Sequence, residues 1–463
     1  MDSDTAEPLN PPRSKNRRKY TLKKAANTAF FTAIPDARHE SIFFEEHDDY
    51  NVLYWGHIIL ALGYIWTFQC VIMAQSYYAS VYPDSGLNAS IMAATTWPLA
   101  LMHLFQMLSG VPEILGISCR IIFGFLASAV IGILFIMLDA LELPESNAVL
   151  CILVLAALVG QLEALIEGPL YCSAGLLPKR SFSQAVQVGN GGAGVIVWAV
   201  QVLIRLCVSG TGVATLRGTH DQFRVFFYVQ VVVCLLCVMM FWHMRGTEAF
   251  TSYVREYTYN TRQELREAGY LISRKQACER CLSATRLVCS QALCQFVLYG
   301  TTLSMWPAIP GLACTGGCFG PGGSFVGWYM DLILGVYNVG DFLGKASTPL
   351  LRWGVQHFSD NLMLGLVMAR SLFLVPLILA SSAPQLYTAA LANWVSLAAV
   401  LILGFSGGFL STLGMMLAPK RVPKDLTEDA ANVMVLSLFL GISSGATLSY
   451  GLVTYVLPIG LCA

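Results

Sequence analysis

Six stretches of this chain contain no Asp, Glu, Lys or Arg: residues 50–83, 85–112, 181–204, 287–330, 371–419 and 430–463. A hydrocarbon layer about 30 Å thick is crossed by roughly 20 residues rising about 1.5 Å each. Every run is therefore long enough to cross it. Charge is concentrated elsewhere, with 29 of the 56 charged residues in segments 1–50 and 243–280. The remainder is too sparse to solvate a globular surface. At 56% hydrophobic and 12% charged, the chain departs from the roughly 45–50% and about 25% of soluble domains. That excludes an ordinary soluble enzyme and a disordered scaffold. A formal net charge of zero argues against nucleic acid as a bulk partner. The 14 cysteines are strewn mostly through apolar runs and do not form a disulfide framework.

Breaks at Gly, Pro and charged residues divide the apolar sequence into eleven expected spans, near 52–80, 88–110, 115–138, 148–176, 184–208, 223–242, 284–307, 326–351, 361–381, 388–416 and 430–458. Each must be helical, because hydrocarbon offers the backbone no water. The expected fold is an all-α integral membrane protein. With the N-terminus cytoplasmic, the inner segments hold twenty Lys and Arg, including Lys179, Arg180, Lys420, Arg421 and Lys424, while only Arg217 sits clearly in an outer loop. That bias satisfies the positive-inside rule and puts the C-terminus outside. The expected divisions are a cytosolic tail 1–50, a six-helix bundle 51–242, a cytosolic loop 243–280 with Glu264 and Glu267 on a surface helix, and a five-helix bundle 281–463. The tail lacks the short apolar core and cleavage site of a secretory signal. Its basic cluster reads as a solvated arm or as a contact for anionic lipid.

Ionisable groups within spans cost on the order of 3 kcal/mol each to insert and tend to face a cavity or a partner. The candidates are Glu163 and Glu167 in span four, Asp331, Asp341 and Lys345 in span eight, and Arg370 in span nine. Asp331, Asn338, Asp341 and Lys345 are spaced by seven, three and four, along one helical face. Asp341 and Lys345 can pair at i,i+4. Such a stripe either glues helices together or borders water or substrate. Glu167 lies 11 residues before Pro178 and Asp341 11 before Arg352, positions close to the inner ends of their spans, which puts both near the bilayer midplane, where transporter sites commonly lie. Arg370 needs an anion or carbonyl partner and reads as a counter-ion for Asp331, Asp341 or Glu163. His57 and His103 read as packing or edge residues without ligand spacing, so no metal and no cofactor is expected. The glycine-rich run Gly189–Gly194 follows no soluble strand and reads as a site of close helix approach. Cys314 and Cys318 suit a disulfide or two free thiols equally, and Asn88–Ala89–Ser90 is a sequon in a very short outer loop.

At these same positions the chain resembles the equilibrative nucleoside transporter family. Tyr337–Asn338–Val339–Gly340–Asp341–Phe342–Leu343–Gly344–Lys345 is similar to that family's F/Y-N-x-x-D-x-x-G-R/K signature. Leu366 to Arg370 and on to Pro376 resembles its ninth span with an embedded Arg. Gly404–Phe405–Ser406–Gly407–Gly408–Phe409 and Pro419–Lys420–Arg421–Val422 resemble its G-F-S-N-G-Y and P-K-x-V elements. Leu165–Ile166–Glu167–Gly168 through Pro178 is similar to its fourth span, and Thr302–Leu303–Ser304–Met305–Trp306–Pro307–Ala308 to its seventh. The resemblance implies two bundles in a 6+5, major-facilitator-like arrangement, rocking around a central site that takes a nucleoside or nucleobase. It implies that Asp341 and Lys345 engage the sugar side of the ligand, and that Glu167 stands where the family faces the base. An ungapped match puts Thr67–Phe68–Gln69 where the family's first span often carries Pro-Trp-Asn. Gly407 replaces an Asn, Lys345 replaces the commoner Arg and loses its bidentate geometry, and Glu167 replaces an uncharged amide. These departures leave open a divergent protozoan or lower-eukaryote member that prefers nucleobases.

The functional expectation is a plasma-membrane permease for purine nucleosides or nucleobases working by alternating access, either facilitated or proton-coupled through Glu167. Asn338, Asp341 and Lys345 would hold ribose hydroxyls or a polar base edge. Glu167 and Gln69 would face the base, and Phe68 and Trp306 would offer apolar or stacking surface. Arg370, Glu163 and Asp331 are structural or coupling groups. The rival readings are a facilitator for a sugar or organic cation, and a multi-pass receptor or scaffold acting through segments 1–50 and 243–280. No nucleophile–base spacing points to an enzyme.

Overall fold

The computed structural model describes residues 48–452 and 455, except 84, 110–114, 142, 178–180, 211–214, 257, 260–262, 264–269, 313–315, 321–322, 326, 348–358, 383–387 and 424–425. The long helices follow the expected spans closely. They are α1 Asp48–Met73, α2 Leu87–Ser109, α3 Ile117–Ala140, α4 Glu145–Leu176, α5 Ser181–Ser209, α6 Leu216–Arg245, α7 Tyr270–Met305, α8 Tyr329–Ser347, α9 beginning at Asp360–Ala369, α10 Ala389–Leu417 and α11 Thr427–Gly451. A short helix, Gln75–Val81, continues α1 beyond a break at Ala74.

Local chemistry explains where several of them start and bend. Thr215, Ser359 and Thr388 cap α6, α9 and α10, their side-chain oxygens accepting the otherwise unpaired N–H groups of Gly218, Leu362 and Leu391. Pro98 lies inside α2 and Pro169 inside α4. In α9 the α-helix gives way to one 3-10 turn, Arg370–Phe373, before resuming as Leu374–Ser382. Pro376 accounts for the interruption, since its ring cannot clear the carbonyl four residues back and it has no N–H to donate.

Ten helical segments among the described residues are long and apolar enough to cross a membrane. The expected eleventh, α8, is not among them, because its 19 residues include Asp331, Asp341 and Lys345. Most of α8 is enclosed between α5 and α10 rather than turned outward, so its polar face need not satisfy lipid. The expected loop 243–280 is shorter than the charge pattern suggests. The last turn of α6 reaches Arg245 and α7 begins at Tyr270, because polar residues extend both helices past their apolar stretches. Between them, a short helix and a π-turn over Glu248–Arg255 dock Ala249, Phe250 and Val254 against the first helices, with Phe250 edge-on to Phe241 at 5.7 Å. Glu264 and Glu267 lie outside the described residues, as does the tail before Asp48. The sequon at Asn88 opens α2 rather than a loop. Cys318 forms no disulfide among the described residues, and Cys314 lies outside them.

Packing is closest where small residues let backbones approach. Gly340 and Gly344 of α8 face the backbone of α10, whose Gly404 and Gly408 face α8 in return. A Cβ on any of the four would meet a carbonyl oxygen at 2.1–2.5 Å. The Gly189–Gly194 run works as its composition suggests. Gly189 meets Ile58 of α1, while Gly191 and Gly194 meet Lys345 and Asn338 of α8.

The apolar core is unevenly shared. One large cluster draws buried residues from both halves of the chain at the end that carries Met73, including Trp66, Tyr77, Val197, Trp306, Tyr337 and Val400. At the opposite end the clusters are separate. One joins α1, α3–α6 and the 248–255 segment. Others join α7, α10 and α11, or α7, α9 and α10, with Met107 of α2 packed at the edge of the first of these. Outward-facing Leu150, Trp242 and Leu372 are more than half exposed, which suits a surface that meets hydrocarbon.

Candidate functional site

Two polar clusters lie within the helices, one on each half of the chain. In the first, Glu167 of α4 is buried with donors at both oxygens. Tyr64 Oη of α1 donates to Oε1 at 3.2 Å, and His103 Nε2 of α2 lies 3.0 Å from Oε2. Asn190 Nδ2 of α5 donates to Tyr64 Oη at 2.8 Å. Tyr171, one turn beyond Glu167, is within electrostatic reach of Glu167, Tyr64, Asn190 and Tyr299 of α7. His103 also stacks on Phe439 of α11 at 5.0 Å between ring centroids. The expectation that His103 is a packing or edge residue is thus incomplete, because it is the direct partner of Glu167. His57 does serve packing, with its ring bonded to Leu53 O and Ser173 Oγ.

In the second cluster, Lys345 Nζ and Asp341 Oδ2 of α8 pair at 2.7 Å, as their i,i+4 spacing expects. Their side chains keep 20% and 15% exposure, against 6% for Glu167. Tyr299 and Ser411 share a hydrogen bond of 2.9 Å beside them. Asn338 Nδ2 is bonded to its own helix at Leu334 O, 2.9 Å away, and its Oδ1 points at Gly194. Adjacent residues of α5 touch the two clusters: Asn190 holds Tyr64 and Gly191 faces Lys345. One step along α5 therefore puts both clusters at the same level.

Arg370 makes no direct ion pair with a carboxylate among the described residues, although Asp341 stands within its electrostatic reach. Its guanidinium donates to Ser406 Oγ at 2.9 Å, Leu403 O at 2.7 Å and Leu298 O at 3.4 Å. The 3-10 turn that carries it and the bare backbone of Gly407 explain this, since a Cβ at 407 would come within 2.9 Å of Arg370 Nη2. The arginine occupies the room in which an Asn at 407 would have to stand.

Asp331 sits apart from the central clusters. It pairs with buried Arg205 of α5, also takes Gln201 Nε2 at 3.3 Å, and its carbonyl accepts from Trp198 Nε1 at 2.8 Å. Arg205 further donates to Gly327 O at 2.9 Å and lies 4.2 Å over the ring of Trp328. Asp331, Asn338 and Lys345 do share one face, which is the face against α5. Sequence reasoning missed Arg205, although it ends the charge-free run 181–204 and could have been read as a membrane-embedded cation. It also missed buried Asp139, which binds Tyr77, His220 and Arg224.

Trp306 stacks face to face on Tyr337, 3.9 Å between centroids, and donates to Ile333 O at 3.3 Å. One of its faces is thus already covered. Phe68 is partly buried, between the large shared core and the Leu99–Ala164–Phe439 cluster beside Glu163. Gln69 is half-buried on the next position of α1. Among the described residues no group of three or more His, Cys, Asp or Glu could hold a metal ion.

The profile of the family described as "Nucleoside transporter" matches residues 153–454, which include Glu167, Asp341, Lys345 and Arg370. The chain belongs to the nucleoside transporter family. It is a multi-pass membrane protein, and its function is the membrane transport of nucleosides or nucleobases. Similarity extends beyond the matched segment. Equilibrative nucleotide transporter 1 of Arabidopsis thaliana is 25% identical over 417 residues, covering 87% of this chain and 86% of that protein. Among solved structures, the xylose transporter XylE from E. coli in a partially occluded inward-open conformation superposes with a TM-score of 0.57 at 11% identity, covering 86% of this chain and 90% of that one. The nucleoside transporter NupG superposes with a TM-score of 0.51 at 14% identity, covering 86% and 90%. At such identities the structural likeness speaks for the fold alone, which is that of these transporters.

Proposed function

We propose that this member of the family carries purine nucleosides or nucleobases across the plasma membrane by alternating access, with eleven spans arranged six plus five and α8 as the eighth. In this reading the N-terminus is cytoplasmic and the C-terminus outside, following the basic residues. The observation that carries the proposal is the meeting of the two polar clusters at one level of α5, one built by α1, α2, α4 and α5 and the other by α7, α8 and α10. A ligand lying between them would touch both halves, so that binding and rocking are linked.

The base edge would face Tyr64, Asn190 and Glu167, and the sugar or second polar edge would face Asp341 and Lys345. Asn338, with its Oδ1 against Gly194, would set the spacing of α5 and α8. Phe68 and Gln69 would border the base, and the Trp306–Tyr337 stack would close the site toward Met73. With α1 running outward, the shared apolar core and the Arg205–Asp331 pair close the outer end, while at the inner end the clusters are separate and the halves meet through Met107 of α2 alone among the described residues of those clusters. That asymmetry supports an inward-facing state.

Uptake of radiolabelled adenosine into liposomes holding only this protein tests the reading, with adenine, glucose and choline as competitors. Saturable uptake reduced by adenosine or adenine alone is expected. Competition by glucose or choline would replace it with a sugar or cation facilitator, and absence of flux would leave only a receptor or scaffold role.

A further inference from the structure

Glu163 lies one turn before Glu167 on α4 and is only 5% exposed. Its Oε2 has no hydrogen-bond partner among the described residues. Glu167, in contrast, has a donor at each oxygen. We propose that Glu163 is the proton-binding group of this transporter, and that it makes nucleoside movement depend on a proton carried with it; this rests on the transport reading above.

The charged and titratable groups around Glu163 are few. On its own helix stand Glu167 and Tyr171. Helix α1 presents Tyr64, and α2 presents His103, both engaged with Glu167. From α3, Arg120 reaches Gln106 Oε1 at 2.8 Å, and Gln106 Nε2 in turn donates to Ala164 O at 3.0 Å. Asn190 of α5 and Tyr299 of α7 stand within electrostatic reach of Tyr171. Of these, only Glu167 and Tyr64 stand within electrostatic reach of the Glu163 carboxyl. Among the described residues no cation is paired with it.

An unpaired carboxylate cannot be enclosed cheaply, because its lost hydration is not replaced. A second carboxylate one helical turn away, with Cβ atoms about 5–6 Å apart, adds like-charge repulsion. The enclosed conformation thus accepts Glu163 as COOH, and the carboxylate belongs to a conformation in which water reaches it. In each cycle an O–H bond forms with a proton from water on one side and breaks to water on the other, with no further bond changed. A metal ion is a poor alternative occupant, since Glu167 has already given its oxygens to Tyr64 and His103. Coupling to substrate follows from position: Glu163 stands one turn from Glu167 and within its electrostatic reach, Glu167 accepts from Tyr64, and Tyr64 is held by Asn190 beside the Asp341–Lys345 cluster. The sequence alone pointed to Glu167 for this role.

The test uses the full chain in liposomes with an imposed gradient of about one pH unit, acid on the uptake side. One proton per nucleoside permits accumulation up to about tenfold above equilibrium. The wild-type protein is expected to accumulate adenosine above equilibrium, and Glu163→Gln to stop at equilibrium while still exchanging labelled for unlabelled nucleoside. Glu163→Asp, which restores a titratable acid, is expected to retain accumulation with a shifted pH midpoint. Wild-type uptake that never exceeds equilibrium would overturn the proposal, as would Glu163→Gln accumulating like wild type or Glu163→Asp keeping the wild-type midpoint. If Glu163→Gln fails to exchange, Glu163→Asp decides alone. Failure of wild-type exchange at equal pH is a separate result and refutes the transport reading instead.

Discussion

Arg205 and Asp331 offer the sharpest handle on alternation between conformations. The pair joins α5 to α8 across the two halves, with side chains only 7% and 3% exposed. Breaking a buried pair by removing one partner costs about 3–5 kcal/mol, because a charge is left uncompensated. Gln201 still donates to Asp331 when Arg205 is gone, so the lower figure applies. If the pair exists only while this end is closed, Arg205→Met disfavours the closed form by about 3 kcal/mol, roughly a hundredfold in its population relative to the open form. Asp331→Asn acts in the same direction. Replacing both by apolar residues leaves no orphan charge and should shift the balance less than either single change. The assay is electron–electron distance measurement between spin labels at Leu141 and Leu391, both exposed at this end of their helices, with the native cysteines replaced. The singles should move population to longer distances and the double variant should return part of it. Unchanged distances in both singles, or a double variant shifted by the sum of the two, would refute the reasoning.

With Asp341 facing the ligand as proposed, Asp341→Asn removes that contact and the partner of Lys345, so kcat/KM for nucleoside should fall about 10- to 100-fold, in keeping with about 1.5–3 kcal/mol for a charged hydrogen bond; steady-state uptake checks this. Gly408→Ala places a Cβ 2.2 Å from Asp341 O and should lower the thermal stability of the detergent-solubilised protein, whereas Gly175→Ala, with nothing within 4 Å, should leave it unchanged or raise it. Gly407→Asn should displace the Arg370 guanidinium from Ser406, Leu403 O and Leu298 O, at about 1–3 kcal/mol for each buried donor left without a partner. A Tm equal to wild type would show that Arg370 is not held as described.

Much of the fold was legible because a membrane simplifies the code. Charge-free runs mark spans, and ten helices among the described residues are long and apolar enough to cross a membrane, whereas α8 is a helix too polar to count with them. What the pattern could not give was the partner of each buried charge. Asp341 and Lys345 were readable as a pair because both lie on one helix at i,i+4. Arg370 was not readable, because its partners are backbone carbonyls and a serine brought close by a glycine gap on another helix. Asp331 looked like a member of the central stripe, and its face was right, but Arg205 claims it at one end of the bundle. His103 showed no spacing that tied it to Glu167, since the two meet only through the packing of α2 on α4. Apolar periodicity also says nothing about which end of the bundle shares its core. The asymmetry that supports an inward-facing state therefore emerged only from the fold.

The central claim is that a nucleoside lies between the two clusters joined through α5. A structure of the full chain with bound adenosine tests it most directly. The account predicts ligand contacts with Tyr64, Asn190 or Glu167 on one side and with Asp341 or Lys345 on the other. A nucleoside held by residues of one half alone, or lying away from both clusters, would contradict it.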